Sequence, residues 1–175
     1  IVVVMPTYNE VDNIKKIVPA IDKVLKKMKK HKSTLLVVDG NSTDGTQEAV
    51  STLSKKYPFV KLLPEKKKSG LGGAYVYAFK HAMKNLKPDV LVEMDADFQH
   101  DPNDLPRVVA PIEEGYDYVI GSRFTKGGSI PKGWGFHRKF LSIGGNIFSK
   151  IVLGIFSVND FTTGFKASRV KGFVD

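Results

Sequence analysis

The feature that most constrains this chain is an alternation. Short runs of β-branched and apolar residues recur along it, separated by stretches whose apolar residues repeat every three or four positions. The first run, "IVVVMP", ends at Pro6 and reads as a buried strand. A helix is expected over about residues 10–30, because Val11, Ile14, Val18, Ile21, Leu25 and Met28 make one stripe, with Pro19 interrupting it. "TLLVVD", "VKLLP", "DVLVEMDA" and "DYVIGSR" read as four more strands. Between them, "NSTDGTQEAV" supplies Ser, Thr and Asp at a helix start and sets Ala49, Val50 and Leu53 on one face. "SGLGGAYVYAFKHAMKNL" is a helix opened by glycine, and "DPNDLPRVVAPI" one begun by Asp and Pro. A last helix is expected over about residues 136–152, after a Gly-rich loop at 127–135. Strands separated by helices predict an α/β fold: a largely parallel sheet with helices on both faces.

A chain of 175 residues can bury a sizeable core, and neither an internal repeat nor a linker divides it. It opens on Ile1 already inside a strand and stops at Asp175 soon after a new segment begins. The expectation is one domain, incomplete at both ends. The absence of cysteine excludes disulfide and thiolate chemistry and fits a reducing compartment. The net charge of +9 is partly local, at residues 23–32 and at Lys66, Lys67 and Lys68. Such runs serve either as solvated faces or as attractors of phosphate groups. The longest uncharged stretches, 140–149 and 151–159, fall short of the roughly 20 residues that span a bilayer, and no signal peptide is visible.

Ligands of open α/β sheets bind outside the carboxyl ends of the strands. The segments after the expected strands are "PTYNE", "DGNSTDGT", "DADFQHD" and "GSRF", so one rim gathers acids and an arginine. Asp95 and Asp97 stand two apart and Gln99 comes next with the same parity; in an extended chain all three point one way. Two carboxylates and an amide oxygen make a hard-oxygen site for Mg²⁺ or Mn²⁺, which in turn holds a diphosphate. A cation would offset the repulsion of acids packed so densely after an apolar run. The alternative for Asp97 and Asp101 is to cap the helix that begins near Pro102, and for Asp101 that is the favoured reading. Asp39, at the end of the second strand, is suited either to a base or ribose or to a turn cap.

Other signals fall away. "GLGGA" fails the dinucleotide fingerprint, since Tyr75 stands where the third glycine belongs and lysines precede it instead of a strand. His31, His81, His100 and His137 show no zinc spacing, and no Gly-x-Ser-x-Gly occurs. Acids on the rim would repel a nucleic-acid backbone, so no nucleic-acid partner is expected.

"PTYNE", "VVDGNSTDGT", "MDADFQHDP" and "GSRF", in this order and spacing, resemble the family 2 glycosyltransferases of the GT-A fold. "GWGFHRKFLSIGGN" with the later "DFTTGFKAS" is similar to the branch of dolichyl- or polyprenyl-phosphate mannose synthases. The resemblance covers residues 1–168 and implies a single glycosyltransferase catalytic domain. By position it implies that Pro6, Tyr8, Glu10 and Asp39 hold the nucleoside of the donor. Asp95, Asp97 and Gln99 match the metal ligands, with Ala96 in the same motif. Arg123, Arg138 and Ser142 match the groups that engage the acceptor phosphate and the donor diphosphate. Asp97, Arg123 and Arg138 are thus the implied catalytic residues. Gly40 and Ile143 depart from the pattern, standing where relatives often carry an acid and a base. The implied activity is an inverting, Mg²⁺- or Mn²⁺-dependent transfer of mannose from GDP-mannose to a polyprenyl phosphate, on the cytoplasmic face of a membrane. A UDP-sugar donor, or a non-catalytic nucleotide-sugar binding module, remain open as alternatives.

The helix at 136–152 bears on the membrane. Trp134, Phe136, Phe140, Ile147, Phe148, Ile151 and Ile155 lie among Lys132, Arg138, Lys139 and Lys150, a mixture suited to an interfacial helix. Ile147 and Ile151 are expected in the core; Trp134 and Phe136 suit either the interface or the acceptor.

Overall fold

The computed structural model describes residues 1–130 and 133–174. Its centre is a six-stranded sheet built from Val2–Thr7 (β1), Thr34–Asp39 (β2), Val60–Pro64 (β3), Val90–Glu93 (β4), Tyr118–Ile120 (β5) and Lys166–Arg169 (β6), in the order β3-β2-β1-β4-β6-β5. β1 pairs in parallel with β2 and β4, and β2 with β3. β6 runs antiparallel to both β4 and β5, so five strands point one way and β6 is reversed. The largely parallel sheet is as expected. β6 is not: its sequence, KASR, carries one apolar residue and nothing β-branched, so it sends no strand signal.

Alternate side chains of each strand feed two cores, as the pleat requires. On one face Val3, Met5, Leu35, Val37 and Val92 meet the helices Val11–Leu25 (α1), Thr46–Lys56 (α2) and Leu105–Glu113 (α4). On the other, Val2, Val4, Leu36, Val38 and Leu91 meet Ala74, Ala78 and Ala82 of Leu71–Asn85 (α3). Alanine at every fourth position gives α3 a flat stripe that lies close against the sheet. The stripe of α1 is Ile14, Ile17, Val18, Ile21 and Val24; Val11 and Leu25 are only partly buried. Pro19 lies inside α1 without ending it, and α1 stops at Leu25, short of residue 30. The lysines beyond it repel one another at helical spacing, and Met28 alone continues the apolar face.

The site is positioned by where strands part. β1 pairs with β4 only from Val2↔Leu91 to Val4↔Glu93, but with β2 as far as Thr7↔Asp39. Beyond Val4 one edge of β1 is open, and Pro6, with no N–H to offer, falls in that open stretch. This is also the switch point of the sheet, where connections lead away on either side.

Phe136–Leu153 (α5) differs from the other helices. Asn146 is its single buried residue. Ile147 and Ile151, expected in the core, are 54% and 67% exposed, alongside Phe136, Phe140, Leu141 and Phe148. Their periodicity is real, but among the described residues no element covers them. No helix among the described residues is long and apolar enough to cross a membrane.

The two cores should carry stability. Ile21 is fully buried between α1 and the sheet, so Ile21→Ala is expected to lower the unfolding free energy by about 2–5 kcal/mol, measured by denaturant titration.

Candidate active site

The acidic wall begins where β4 ends. Met94 still donates its N–H to Val4 (3.1 Å), and then the chain bends, with Phe98 at φ 62°. The strand does not continue through Asp95 to Gln99, so the shared direction expected from strand parity does not arise that way. A turn gathers these residues. Gln99 donates its backbone N–H to Asp97 Oδ1 (3.0 Å) and its side-chain amide to Asp97 Oδ2. Gln99 Oε1 accepts from Trp134 Nε1 (3.2 Å) and Arg138 Nη2 (3.1 Å). Asp101 caps the next turn by accepting from Asn103 N–H (2.9 Å), as expected. Ala96 is buried in the core beneath the turn.

Asp95 donates its backbone N–H to His100 Nδ1 (3.0 Å). A neutral His100 therefore carries its proton on Nε2, which stands 3.7 Å from Asp95 Oδ2. Its ring stacks on Phe165 with centroids 5.2 Å apart. Burial pushes the Asp95 carboxyl above the usual range; His100 opposes this and the charge of Asp97 adds to it. Burial holds His100 below its ordinary value. A carboxylate strained by burial and by a second acid is one that a divalent cation would relieve. Among the described residues no three His, Cys, Asp or Glu side chains gather for a metal ion, so a cation here would have to draw on Asp95, Asp97 and the Gln99 amide oxygen. That set fits a hard cation that completes its shell with ligand oxygens.

The basic wall faces it. Arg123 donates Nε to Asp160 Oδ2 (2.7 Å), Nη2 to Asp160 Oδ1 (2.7 Å) and Nη2 to Thr162 Oγ1 (2.6 Å). Its backbone N–H also reaches Asp160 Oδ2 (3.1 Å). Asp160 is fully buried. Asn146 of α5 donates to Ser142 O (2.8 Å) and accepts from Phe161 N–H (2.6 Å), with Asp160 Oδ1 at 3.4 Å. Ser142 Oγ lies 3.3 Å from Thr162 Oγ1. Trp134 stands between two guanidinium groups, Arg138 at 4.2 Å and Arg123 at 4.9 Å from its ring. Asp95, Gln99, Arg123, Trp134, Arg138 and Ser142 thus line one cavity of about 570 Å³. Asp97 sits beside it, exposed on the turn.

Pro6, Tyr8, Glu10 and Asp39 lie apart from this cavity, on the β1–β2 side. Tyr8 is exposed, with the Lys68 ammonium 3.6 Å from its ring centroid, which gives one of the loop lysines a partner. Glu10 Oε2 accepts from Asn13 Nδ2 (2.6 Å). Asp39 is fully buried, and its two oxygens accept from Thr7 Oγ1 (3.0 Å), Ser42 N (2.9 Å), Ser42 Oγ (2.6 Å) and Gln47 Nε2 (2.7 Å). Four donors fill a carboxylate, so Asp39 shapes the turn after β2 from beneath.

Sequence reasoning passed over Asp160, Thr162 and Asn146, and set His100 aside. The polar cluster "NDFTTG" was the available signal, but it points to the rim only once β6 is known to be a reversed strand.

Residues 2–173 match the family model described as glycosyl transferase family 2. The chain belongs to that family. It is 39% identical over 168 residues to a dolichol-phosphate mannosyltransferase of Pyrococcus furiosus, covering 95% of this chain and 45% of that protein. It is 36% identical to an undecaprenyl-phosphate mannosyltransferase of Micrococcus luteus, covering 97% and 66%, and 36% identical to a polyprenol monophosphomannose synthase of Mycolicibacterium smegmatis, covering 95% and 60%. The chain spans about half to two thirds of the length of these curated relatives. Among solved structures it resembles mannosyl-3-phosphoglycerate synthase from Rubrobacter xylanophilus (TM-score 0.63, 19% identity, 96% of this chain and 52% of that one). It also resembles the mannosyltransferase PcManGT from Pyrobaculum calidifontis in complex with GDP-Man and Mn²⁺ (TM-score 0.54, 20% identity, 96% and 44%). These likenesses establish the GT-A fold.

Burial alone would raise the Asp160 carboxyl, but the hydrogen bonds and charge of Arg123 hold it below the usual range. A depressed carboxyl adds stability that is complete above its unfolded value, near pH ~3.9, and is lost as pH falls through the folded value. Acid unfolding followed by circular dichroism should therefore show a loss below about pH 4–5, and Asp160→Asn should flatten that part of the curve.

Proposed function

We propose that this chain carries the catalytic domain of an inverting mannosyltransferase that moves mannose from GDP-mannose to a dolichyl or polyprenyl phosphate. The observation that carries the reading is one cavity walled by Asp95 and Gln99 on one side and by Arg123, Arg138 and Ser142 on the other. An acidic edge suits a metal-bound diphosphate, and a basic edge suits a second phosphate. The names of the relatives support the lipid-phosphate acceptor, and the GDP-Man and Mn²⁺ of PcManGT support the donor and a divalent metal.

In this reading Asp95, Asp97 and the Gln99 amide oxygen hold Mg²⁺ or Mn²⁺. Bound there, the cation supplies charge stabilisation for the departing diphosphate. Gln99 Oε1 already has two donors, Trp134 and Arg138, so ligation requires one to let go. Arg123 adds positive charge at the leaving diphosphate. Arg138 and Ser142 orient the acceptor phosphate, for which a guanidinium fork is well shaped. The acceptor's phosphate oxygen attacks the anomeric carbon, the bond to GDP breaks, and in-line geometry inverts the centre. That oxygen is anionic near neutral pH and needs no general base, which fits a cavity whose one histidine, His100, spends Nδ1 on the backbone of Asp95. Pro6, Tyr8 and Glu10 border the nucleoside, Asp39 acts on it through the turn it braces, and Ala96 contributes backbone.

The same reading sets the chain peripherally on the cytoplasmic face of a membrane. The exposed Phe136, Phe140, Phe148 and Ile151 of α5, with Arg138, Lys139 and Lys150 among them, fit an anionic lipid interface. Lys132, of the same group, lies outside the described residues.

The test is a donor panel with the full-length protein: GDP-mannose, UDP-glucose and UDP-N-acetylglucosamine, each with a short polyprenyl phosphate and Mn²⁺. Turnover with GDP-mannose is expected; turnover only with a UDP-sugar would reassign the donor, and none at all would favour a binding module. Asp97→Ala should abolish transfer while the melting curve stays in place, and full activity in a chelator would remove the metal from the mechanism. Arg138→Ala should raise KM for the lipid phosphate by about tenfold or more and leave GDP-mannose binding unchanged; equal loss of both would count against its assignment to the acceptor.

A further inference from the structure

We infer that Asp160 is a positioning residue for Arg123, clamping one edge of its guanidinium so that a single free edge faces the cavity. The donors of Arg123 can be counted. A guanidinium has five N–H groups in a planar fork. Nε and Nη2 are used: one bond from Nε and one from Nη2 to Asp160, and the second Nη2 proton to Thr162. Nη1 has no hydrogen-bond partner among the described residues, and Arg123 lines the cavity. The clamp therefore decides which two protons a phosphate can meet.

Asp160 is itself held on every side. The Arg123 and Thr162 backbone N–H groups approach its oxygens (3.1 and 3.2 Å), as do the Thr162 hydroxyl (3.2 Å) and the Asn146 amide (3.4 Å). A buried carboxylate fixed by these four groups besides the guanidinium cannot follow it if it swings. Thr162 then extends the clamp to α5, because its hydroxyl stands 2.6 Å from Arg123 Nη2 and 3.3 Å from Ser142 Oγ. Arg123 and Ser142, carried by elements far apart in sequence, are thereby kept in register by one buried acid.

The Asp160 carboxylate offsets part of the Arg123 charge, so the positive charge that Arg123 brings to the leaving diphosphate acts through directed hydrogen bonds from its free edge. Replacing the acid by its isosteric amide would free the charge and lose the direction. Ground-state attraction for phosphate would persist, but alignment would not, and misalignment of a positioned group can cost on the order of 100-fold in rate.

This rests on the transfer reading above, and the test separates the two. In the full-length protein, Asp160→Asn is expected to lower kcat by about tenfold or more while KM for GDP-mannose stays level or falls. In an Arg123→Lys background, which has no fork to clamp, the same change should add little to the loss already present. Thr162→Val, which leaves the buried acid in place, should give a smaller kcat loss that also vanishes in that background and serves if Asp160→Asn does not fold. A second readout needs no turnover: with labelled arginine, the Arg123 Nε–H resonance should be protected from solvent exchange in the wild type and lose that protection in Asp160→Asn. Equal kcat losses in both backgrounds, or unchanged protection, would overturn the inference. Absence of any transfer by the wild type would overturn the transfer reading alone, and the exchange measurement would still decide the clamp.

Discussion

The parting of β1 from β4 is the constraint on which the rest depends. Two parallel strands share hydrogen bonds only while they run together, and here they separate after Val4 and Glu93. β1 keeps its other edge on β2 as far as Asp39, so the sheet stays whole while a crevice opens in its middle. Glu93 is the last paired residue of β4, and within two residues the chain presents Asp95. On the opposite bank, β1 ends at Thr7, whose hydroxyl goes to Asp39. The same divergence thus sets a buried acid under one bank and a partly exposed acid on the other. The buried one is filled by four donors and braces a turn. Among the described residues the other has His100 Nε2 at 3.7 Å, and burial disfavours its charge, which leaves it able to gain from a bound cation.

The basic wall depends on a reversal. In a sheet of parallel strands only carboxyl ends reach the ligand rim. β6 runs backwards between β4 and β5, so it is the segment leading into β6 that arrives there. That segment contains Asp160, Thr162, Gly164 and Phe165. Phe165 supports the ring of His100, and through it the backbone of Asp95. Gly164 lies so close to Asp95 that a β-carbon would stand 3.4 Å from its carboxylate. One reversed strand therefore supplies packing for the acidic wall and hydrogen bonds for the basic one. Removing one partner of the buried Arg123–Asp160 pair would leave an uncompensated charge, a loss of about 3–5 kcal/mol in comparable sites.

This division explains how much the sequence could reveal. β1, β2 and β4 announce themselves because buried parallel strands are continuous apolar runs, and α1 and α3 because their stripes have helical spacing. The rim acids could be located from the polar segment at the carboxyl end of each strand. β6 could not be seen, since four residues with one apolar side chain have no period to detect, and its neighbours in the sheet lie tens of residues away. The clamp on Arg123 was hidden for the same reason: its partner is 37 residues distant. Parity misled at Asp95 to Gln99 because the strand ends at Glu93 and Phe98 takes a positive φ. Asp39 was ambiguous, because a carboxylate after a strand looks alike whether it meets a ligand or four donors of its own chain. Ile147 and Ile151 were misjudged because helical periodicity identifies an apolar surface without saying what covers it.

The exposed face of α5 has a structural consequence. A helix usually takes its orientation from the apolar stripe it buries, yet α5 leaves Phe136, Phe140, Ile147, Phe148 and Ile151 outward and buries Asn146 alone. Its orientation must come from polar contacts. Asn146 provides them, reaching Phe161 N–H and Asp160, while Ser142 meets Thr162 one turn earlier and Arg138 meets Gln99 one turn before that. Residues 138, 142 and 146 are spaced by four and so share a face. Arg138 and Ser142 of that face line the cavity, and the apolar side chains occupy what remains. A helix fixed in this way can keep a greasy surface exposed without losing its place, because no part of that surface is needed to hold it.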